Sequence, residues 1–179
     1  DPLSIFKFNS KIWHRGFPLQ LLQEKPKLKK IKRKINPDVQ ANLWDKNPDI
    51  DAINRMTLTK ENFIFKNIGH YTSYKPAPFN SQNTIFNTDV ISKYFLFPFV
   101  GRMDDIWGAY YVQSLGFKVI FDKATVYQDR NVQDLVTNLE KEILGYRQTL
   151  PLLQDLENFY NYFPEKTKKF WDIYKNYFK

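Results

Sequence analysis

The spacing of apolar positions changes along this chain, from short strand-like runs to longer runs with a helical period. Strands are predicted at residues 40–45, 63–66 and 118–121, where apolar residues form short runs bounded by polar turn residues. Residues 84–88 predict a strand or a turn, and residues 90–97 predict an apolar helix or strand. Most of the strand-like runs therefore lie in the first part of the chain.

Helical periodicity dominates the last part. One helix is predicted from Asp105 to Gly116, where glycine stops it, and a longer helix is predicted from Asn131. Pro151 is expected to break the longer helix before a final helical hairpin. Since short mixed strands precede the helices, the predicted fold class is α/β or α+β.

The length and composition fit one compact domain. The chain has 179 residues, of which 42% are hydrophobic and 17% aromatic, and this is enough apolar surface to form a core. We expect residues 1–147 to form this domain and residues 148–179 to form a C-terminal helical extension. The absence of cysteine excludes a disulfide framework and a thiolate metal site.

Neither a membrane-spanning segment nor a signal peptide is predicted, and the cellular location is left open. No apolar run approaches the roughly 20 residues that cross a bilayer. The chain opens with Asp1 and Pro2 rather than with a basic and then apolar leader, which suggests a piece of a longer protein.

The formal charge of +8 is concentrated in residues 25–35, which contain seven lysine or arginine residues. Such a segment attracts polyanions, so contact with an anionic membrane surface is one expectation. A solvated surface loop is the other, since the run contains no aromatic stacking partners. Nucleic acid is not expected as a partner, because no zinc-finger spacing, RNA-recognition signature or helix-turn-helix pattern accompanies the run.

Two adjacent carboxylates, Asp104 and Asp105, directly precede the first predicted helix. Either residue suits the N-cap, where a side-chain oxygen accepts a hydrogen bond from a free backbone N–H group. Because capping needs one acid, the second is available to face a ligand. Repulsion between neighbouring carboxylates raises one of the two pKa values, which suits a general base.

Several short motifs occur in a characteristic order along the chain. They are residues 15–20, 42–45, 48–55, 77–86 and 101–107. Together they resemble the STELLO-type glycosyltransferase-like family and, more distantly, the reversibly glycosylated polypeptides, which include UDP-arabinopyranose mutases. The resemblance covers residues 12–147, and its most specific part is the block with the aspartate pair. It implies a GT-A-like mixed sheet with helices, of which this chain is the acceptor half.

The resemblance implies transfer of a sugar from a nucleotide-sugar donor to a carbohydrate acceptor. Such a reaction needs a base for the acceptor hydroxyl and a cation for the departing diphosphate, so Mn²⁺ or Mg²⁺ is the expected cofactor. The metal-binding Asp-x-Asp of this fold is expected upstream of residue 1, and the metal ligands are unknown. Asp49 and Asp51 are instead expected to cap a helical turn at residues 51–56 or to line the sugar pocket.

Asp104 and Asp105 are the expected catalytic residues, one of them as the general base, as in the acidic motif of inverting GT-A enzymes that this block resembles. Which of the two faces the site is left open at this point. Plain capping combined with exposure to solvent is the alternative for the pair.

Further residues are candidate substrate ligands, each with a structural alternative. Arg102 is expected to hold a phosphate or the partner aspartate, and Trp107 either stacks on a sugar or lies in the core. An amide-rich loop suits sugar hydroxyls or its own backbone, and His70 either hydrogen-bonds substrate or is structural. Arg55 and Arg130 are expected either to bind a diphosphate or to form surface ion pairs. The candidates are Arg102, Trp107, Asn80, Gln82, Asn83, His70 and Arg55.

A non-catalytic binding or scaffold module is the alternative function, in which the basic segment docks to an anionic partner. It predicts indifference to Asp105→Asn and binding that weakens strongly with salt, whereas the enzyme hypothesis predicts loss of turnover in a folded variant. The sequence contains no P-loop, glycine-rich dinucleotide fingerprint or serine nucleophile elbow, which excludes the enzyme classes that depend on them.

Overall fold

A mixed β-sheet and its flanking helices give this protein an α/β fold, as the order of predicted elements indicated. The computed structural model describes residues 1–25, 29, 34–58 and 62–178. Most of the basic segment, residues 25–35, is outside this part of the chain, so its predicted docking role lies outside the described residues.

The sheet in the described part of the chain has three strands, β1 (Val39–Lys46), β2 (Thr84–Phe86) and β3 (Val119–Gln128). Their order is β2-β1-β3, with β1 antiparallel to β2 and parallel to β3. Because β1 is the central strand, its residues 41–44 are all buried. Because β1 and β3 are parallel, their carboxyl ends lie at the same edge of the sheet.

The strand predicted at residues 40–45 is confirmed as β1, and the strand predicted at residues 118–121 is confirmed as the first part of β3. Of the strand or turn predicted at residues 84–88, the strand is confirmed as β2. The strand predicted at residues 63–66 is wrong, because this segment forms an isolated bridge between Lys46 and Phe63. Phe63 and Phe65 are nevertheless both buried. The apolar alternation there therefore reflects packing against the core rather than strand pairing.

Helices cover the sheet and extend beyond it. In the described residues the α-helices are α1 (Ala52–Thr57), α2 (Thr88–Ile91), α3 (Asp104–Ser114), α4 (Leu135–Gln154) and α5 (Glu165–Tyr177). Short 3₁₀ helices occur at Leu19–Leu21, Gly101–Met103 and Leu156–Tyr162. None of the described helices combines the length and the apolarity that crossing a membrane requires.

Two predicted helix boundaries are confirmed. Asp51 caps α1, and its Oδ1 accepts a hydrogen bond from the Asn54 backbone N–H at 2.7 Å. Gly116 follows the end of α3 with a φ of +90°, a conformation that favours glycine. The apolar helix or strand predicted at residues 90–97 is wrong, since α2 ends at Ile91.

Three other helix predictions are wrong. Met103 rather than an aspartate occupies the N-cap of α3, because the 3₁₀ turn Gly101–Met103 runs directly into the helix. Asp134 caps α4, so this helix begins later than the predicted Asn131. Pro151 lies inside the last turn of α4 instead of ending it. That turn packs against buried rings, which compensates for the hydrogen bond that proline cannot donate.

The C-terminal helices share one core with α3. This aromatic core contains the buried rings of Phe97, Trp107, Phe159, Phe163 and Trp171. The ring centroids of Phe97 and Phe163 are 4.3 Å apart, and those of Phe97 and Trp171 are 5.1 Å apart. The boundary predicted between residues 147 and 148 lies inside α4. Residues on both sides of it are therefore needed to complete the core.

Candidate functional site

The carboxyl ends of β1 and β3 carry a dense group of charged side chains. Asp49 follows β1, Arg130 follows β3, and Arg130 Nη2 lies 3.2 Å from Asp49 Oδ1. The N-terminal segment reaches the same place, where the Arg15 backbone N–H donates to the Asp49 carbonyl at 2.8 Å. Asp105, in the first turn of α3, completes the group. Ligand sites of α/β folds commonly form at this edge of the sheet.

Arg15, Asp49 and Asp105 form a buried arrangement of ion pairs that we call the triad. Arg15 Nη2 lies 2.8 Å from Asp49 Oδ2 and 3.0 Å from Asp105 Oδ1. Arg15 Nε also donates to Asp49 Oδ1 at 3.1 Å, so the Asp49 contact is bidentate. The exposed fractions of the three residues are 7%, 1% and 7%. A planar guanidinium suits this position because it presents donors to two carboxylates at once.

The triad changes the pKa values of its own members. Burial acts to raise the pKa of Asp49, but the charge of Arg15 and the hydrogen bonds that it donates more than offset burial, and the pKa lies well below its usual range. Burial acts to lower the pKa of Arg15, but the charges of Asp49 and Asp105 outweigh burial, so the pKa lies above its usual value. Arg15 and Asp49 are therefore a fixed ion pair at neutral pH.

Asp105 is held through both oxygens of its carboxylate. Oδ1 is bound by Arg15, and Oδ2 accepts a hydrogen bond from the backbone N–H of Ser81 at 3.2 Å. The Asp105 side chain is 10% exposed. A carboxylate bound in this way is poorly placed to take a proton from a ligand. Asp105 thus ties Arg15 and the Ser81 backbone to the start of α3.

Asp104 has a different environment, although it is the adjacent residue. It is exposed, and its Oδ1 accepts a hydrogen bond from the Asp105 backbone N–H at 2.9 Å. Loss of part of its hydration raises the pKa of Asp104, and the charge of Asp105 raises it further against the opposing hydrogen bond. Asp104 therefore combines access to solvent with a raised pKa, as a general base requires.

The predicted amide-rich loop divides into structural and accessible residues. Asn80 is buried, and its Nδ2 donates to Asp49 Oδ2 at 2.8 Å, so it supports the triad. Asn83 Nδ2 donates to the carbonyl of Leu43 at 2.9 Å and fixes the loop to β1. Gln82 is exposed at the same edge. Of these three amides, Gln82 is the one that remains accessible to a ligand.

Arg102 connects the triad to α4. Its Nε donates to Glu142 Oε1 at 2.7 Å, and its backbone carbonyl accepts from Arg15 Nη1. Glu142 is completely buried, and it also accepts from the Ala52 backbone N–H at 2.8 Å and from the Tyr146 hydroxyl at 2.7 Å. The sequence reasoning missed Glu142, because a glutamate within an amphipathic helix carries no local signal of burial.

Arg55 and Arg130 lie beside the triad with unsatisfied donors. Arg55 Nη1 donates to Asn47 Oδ1 at 3.1 Å, and its Nη2 donates to the carbonyl of Pro48. Burial, and then the positive charge of Arg130, lower the pKa of Arg55 to about 10. The Nε atoms of both arginines are buried and have no hydrogen-bond partner among the described residues.

Two predicted ligand residues lie apart from this group. Trp107 is completely buried in the aromatic core, and its Nε1 donates to Thr149 Oγ1 at 3.1 Å. Of the two alternatives predicted for Trp107, a place in the core is confirmed and stacking on a sugar is wrong. His70 is exposed, with its Nδ1 3.2 Å from Asp122 Oδ2. Asp122 is in the first half of β3, so His70 contacts the sheet away from its carboxyl edge.

Arg15, the centre of the triad, was not among the predicted site residues. Arg15 begins the motif at residues 15–20, and this position was the one sequence signal from which it could have been identified. Asp49 was predicted as part of a turn or of a sugar pocket, and the buried ion pair with Arg15 was not foreseen.

The triad does not fit a divalent cation. The carboxylates of Asp49 and Asp105 are already bound by Arg15, whose guanidinium occupies the position between them. Across the described part of the chain, no group of three or more His, Cys, Asp or Glu side chains is arranged to hold a metal ion. The expected Mn²⁺ or Mg²⁺ stays a prediction about the donor side, not about the triad.

Comparison of the sequence with protein-family models and with curated proteins finds no match. The resemblance to the STELLO-type family stays a prediction that depends on the short motifs. The feature of this chain that indicates a function is the arrangement of side chains at the carboxyl ends of β1 and β3.

Proposed function

We propose that this chain is a GT-A-like glycosyltransferase, or its acceptor half, in which Asp104 is the general base. The observation that carries the proposal is the contrast between two adjacent aspartates. Asp105 is bound by Arg15, whereas Asp104 is exposed and has a raised pKa. A carboxylate whose pKa is raised toward the working pH takes a proton more effectively.

In the proposed reaction, Asp104 removes the proton from an acceptor hydroxyl while that oxygen bonds to the anomeric carbon of the donor. The bond between this carbon and the diphosphate oxygen breaks, and the nucleoside diphosphate leaves with the bonding electrons. A divalent cation on the donor side would neutralise the diphosphate. The proton then passes from Asp104 to solvent, which the exposure of this residue permits.

The triad supports this role by fixing the backbone that carries Asp104. Arg15 holds Asp105 and also bonds to the carbonyl of Arg102, so residues on both sides of Asp104 are restrained. The charge of Arg15 also limits the rise in the pKa of Asp104 that the carboxylate of Asp105 causes. Gln82, exposed at the same edge, offers an amide to sugar hydroxyls.

Asp104→Asn tests the proposal, with Asp105→Asn as the matched control. Wild type is first titrated by calorimetry with UDP and several UDP-sugars, with and without Mn²⁺, and turnover is measured for the donors that bind. We expect Asp104→Asn to lower turnover by about 10²–10⁴-fold. Its unfolding free energy should stay within about 0.5 kcal/mol of wild type. Asp105→Asn should instead destabilise the fold.

Full turnover by a folded Asp104→Asn variant would exclude this residue as the base. Absence of UDP-sugar binding and turnover in folded wild type would point to a donor half outside this chain or to a non-catalytic module. A salt titration separates these two outcomes, because a module that docks through its basic charge binds anionic vesicles less tightly as salt rises.

A further inference from the structure

Three arginines surround the triad, and we call them the arginine cluster: Arg55, Arg102 and Arg130. Two of them are brought together by the turn after β1. Arg55 donates to the carbonyl of Pro48, and Arg130 reaches the carboxylate of the adjacent Asp49 at 3.2 Å. Two arginines that follow different strands thus reach neighbouring residues of one turn.

Arg102 is tied to the same place through a buried glutamate. Glu142 accepts from Arg102 Nε at 2.7 Å and from the backbone N–H of Ala52 at 2.8 Å. Ala52 opens the short helix α1, which also carries Arg55. The cluster is therefore held by α1, the 3₁₀ turn before α3, and the segment after β3.

Two arginines of the cluster have a donor without an acceptor among the described residues, and one of them, Arg55, also lacks an ion pair there. Arg55 has no carboxylate within ion-pair distance among the described residues, and Arg130 shares Asp49 with Arg15. The Nε atoms of Arg55 and Arg130 have no acceptor in the same part of the chain. A buried donor without an acceptor needs a physical explanation, and a bound water or ion is one such explanation.

The cluster is also accessible from solvent. The side chains of Arg102 and Arg130 are 23% and 13% exposed, and Arg55 is half-buried. Burial lowers the pKa of Arg55 most, and the charges of Arg130 and, more weakly, Arg102 lower it further, so like charges repel within the cluster. An anion that enters from the solvent side would relieve this repulsion.

We propose that the arginine cluster binds a phosphoryl group, either a phosphate monoester or one phosphate of a diphosphate. A phosphoryl group presents three oxygens to guanidinium groups that approach from different sides, whereas a carboxylate presents two. The inference does not depend on sugar transfer, because it rests on the arginine donors and not on Asp104.

The test is nuclear magnetic resonance of the arginine Nε–H groups in wild type, titrated with sodium pyrophosphate, inorganic phosphate or acetate at constant ionic strength. We expect the Nε–H signals of Arg55 and Arg130 to shift with pyrophosphate or phosphate, while that of the exposed Arg147 stays unchanged. If inorganic phosphate is enough to shift the signals, the site binds a phosphate monoester. If only pyrophosphate shifts them, the site binds a diphosphate.

Variants give a second measurement. Arg55→Gln should weaken binding of the responding anion by at least about tenfold, since a charge-assisted pair is lost. Arg147→Gln, on the outer face of α4, is the matched control and should bind as wild type does. Unshifted Nε–H signals, an equal response to acetate, or unchanged affinity in folded Arg55→Gln would overturn the proposal. The wild-type titration decides the question if Arg55→Gln does not fold.

Discussion

Arg15 Nη2 and Asp105 Oδ1 lie 3.0 Å apart, although 90 positions separate the two residues in the chain. The two side chains are 8% and 10% exposed, so water screens this ion pair weakly. The contact ties the N-terminal segment to the first turn of α3, and Asp49 ties both to the carboxyl end of β1. The position of Asp104 therefore depends on residues far from it in sequence.

Arg15→Met should lower the free energy of unfolding by about 3–5 kcal/mol, because it leaves two buried carboxylates without their cation. Arg15→Lys should cost less, since an ammonium keeps the charge but cannot bind both carboxylates through a planar fork. Urea unfolding monitored by tryptophan fluorescence measures both variants. A loss below about 1 kcal/mol for Arg15→Met, the value typical of a surface pair, would contradict the role given to the triad.

Asp51 should make the protein less stable as the pH rises from 4 to 7. Burial raises the pKa of Asp51 from 3.8 to about 6, against the hydrogen bonds from Asn54 and Trp13. Because the folded state holds this proton more tightly, the stabilisation is complete below the unfolded pKa and is lost as the pH passes through about 6.

Asp51→Asn removes this titration and serves as the reference. Relative to the variant, wild type should lose on the order of 2–3 kcal/mol of unfolding free energy across that pH range. Urea unfolding of both proteins at pH 4, 5, 6 and 7 gives the difference at each pH. A difference that stays constant with pH, or one that grows in favour of wild type as the pH rises, would contradict the prediction.

A chain that ends at Gln154 should not unfold cooperatively. It lacks Phe159, Phe163 and Trp171, which supply much of the aromatic core. Removal of one large buried ring costs about 3–5 kcal/mol, so the loss of three is as large as the whole stability of an ordinary domain. A chain that ends at residue 175 keeps all three rings and should fold. Thermal unfolding followed by circular dichroism distinguishes the two chains; a cooperative transition in the shorter one would mark the C-terminal part as a separate extension.

Gly101→Ala should destabilise the protein more than Gly69→Ala. Both glycines have positive φ, +66° and +80°, so alanine is strained at either by about 1–2 kcal/mol. A Cβ at Gly101 would also meet the backbone carbonyl of Lys141 in α4, whereas one at Gly69 would meet nothing within 4 Å. This overlap should add about 1–3 kcal/mol. Equal urea midpoints for the two variants would contradict close packing of Gly101 against α4.

The elements that the sequence predicted well are those with a short-range cause. The spacing of apolar residues predicted β1 and α3. Asp51 and Gly116 mark helix ends because each contacts residues within one turn of the helix. The strand predicted at residues 63–66 failed because apolar alternation reports burial, and pairing depends on a neighbouring strand. The break predicted at Pro151 failed because packing in the core outweighs the local cost of proline.

In the candidate site, too, the sequence predicted only the features that depend on neighbouring residues. The sequence indicated that Asp104 and Asp105 stand at the start of a helix and that one pKa is raised, since adjacency alone brings like charges together. It did not indicate which of the two is free.

That difference was decided by Arg15, which approaches from 90 positions away and binds Asp105. Glu142 and the arginine cluster likewise acquire their roles from burial and long-range contact. Periodicity and capping act between neighbours in the chain, whereas ion pairs in a protein interior depend on which distant segments the fold brings together and shields from water.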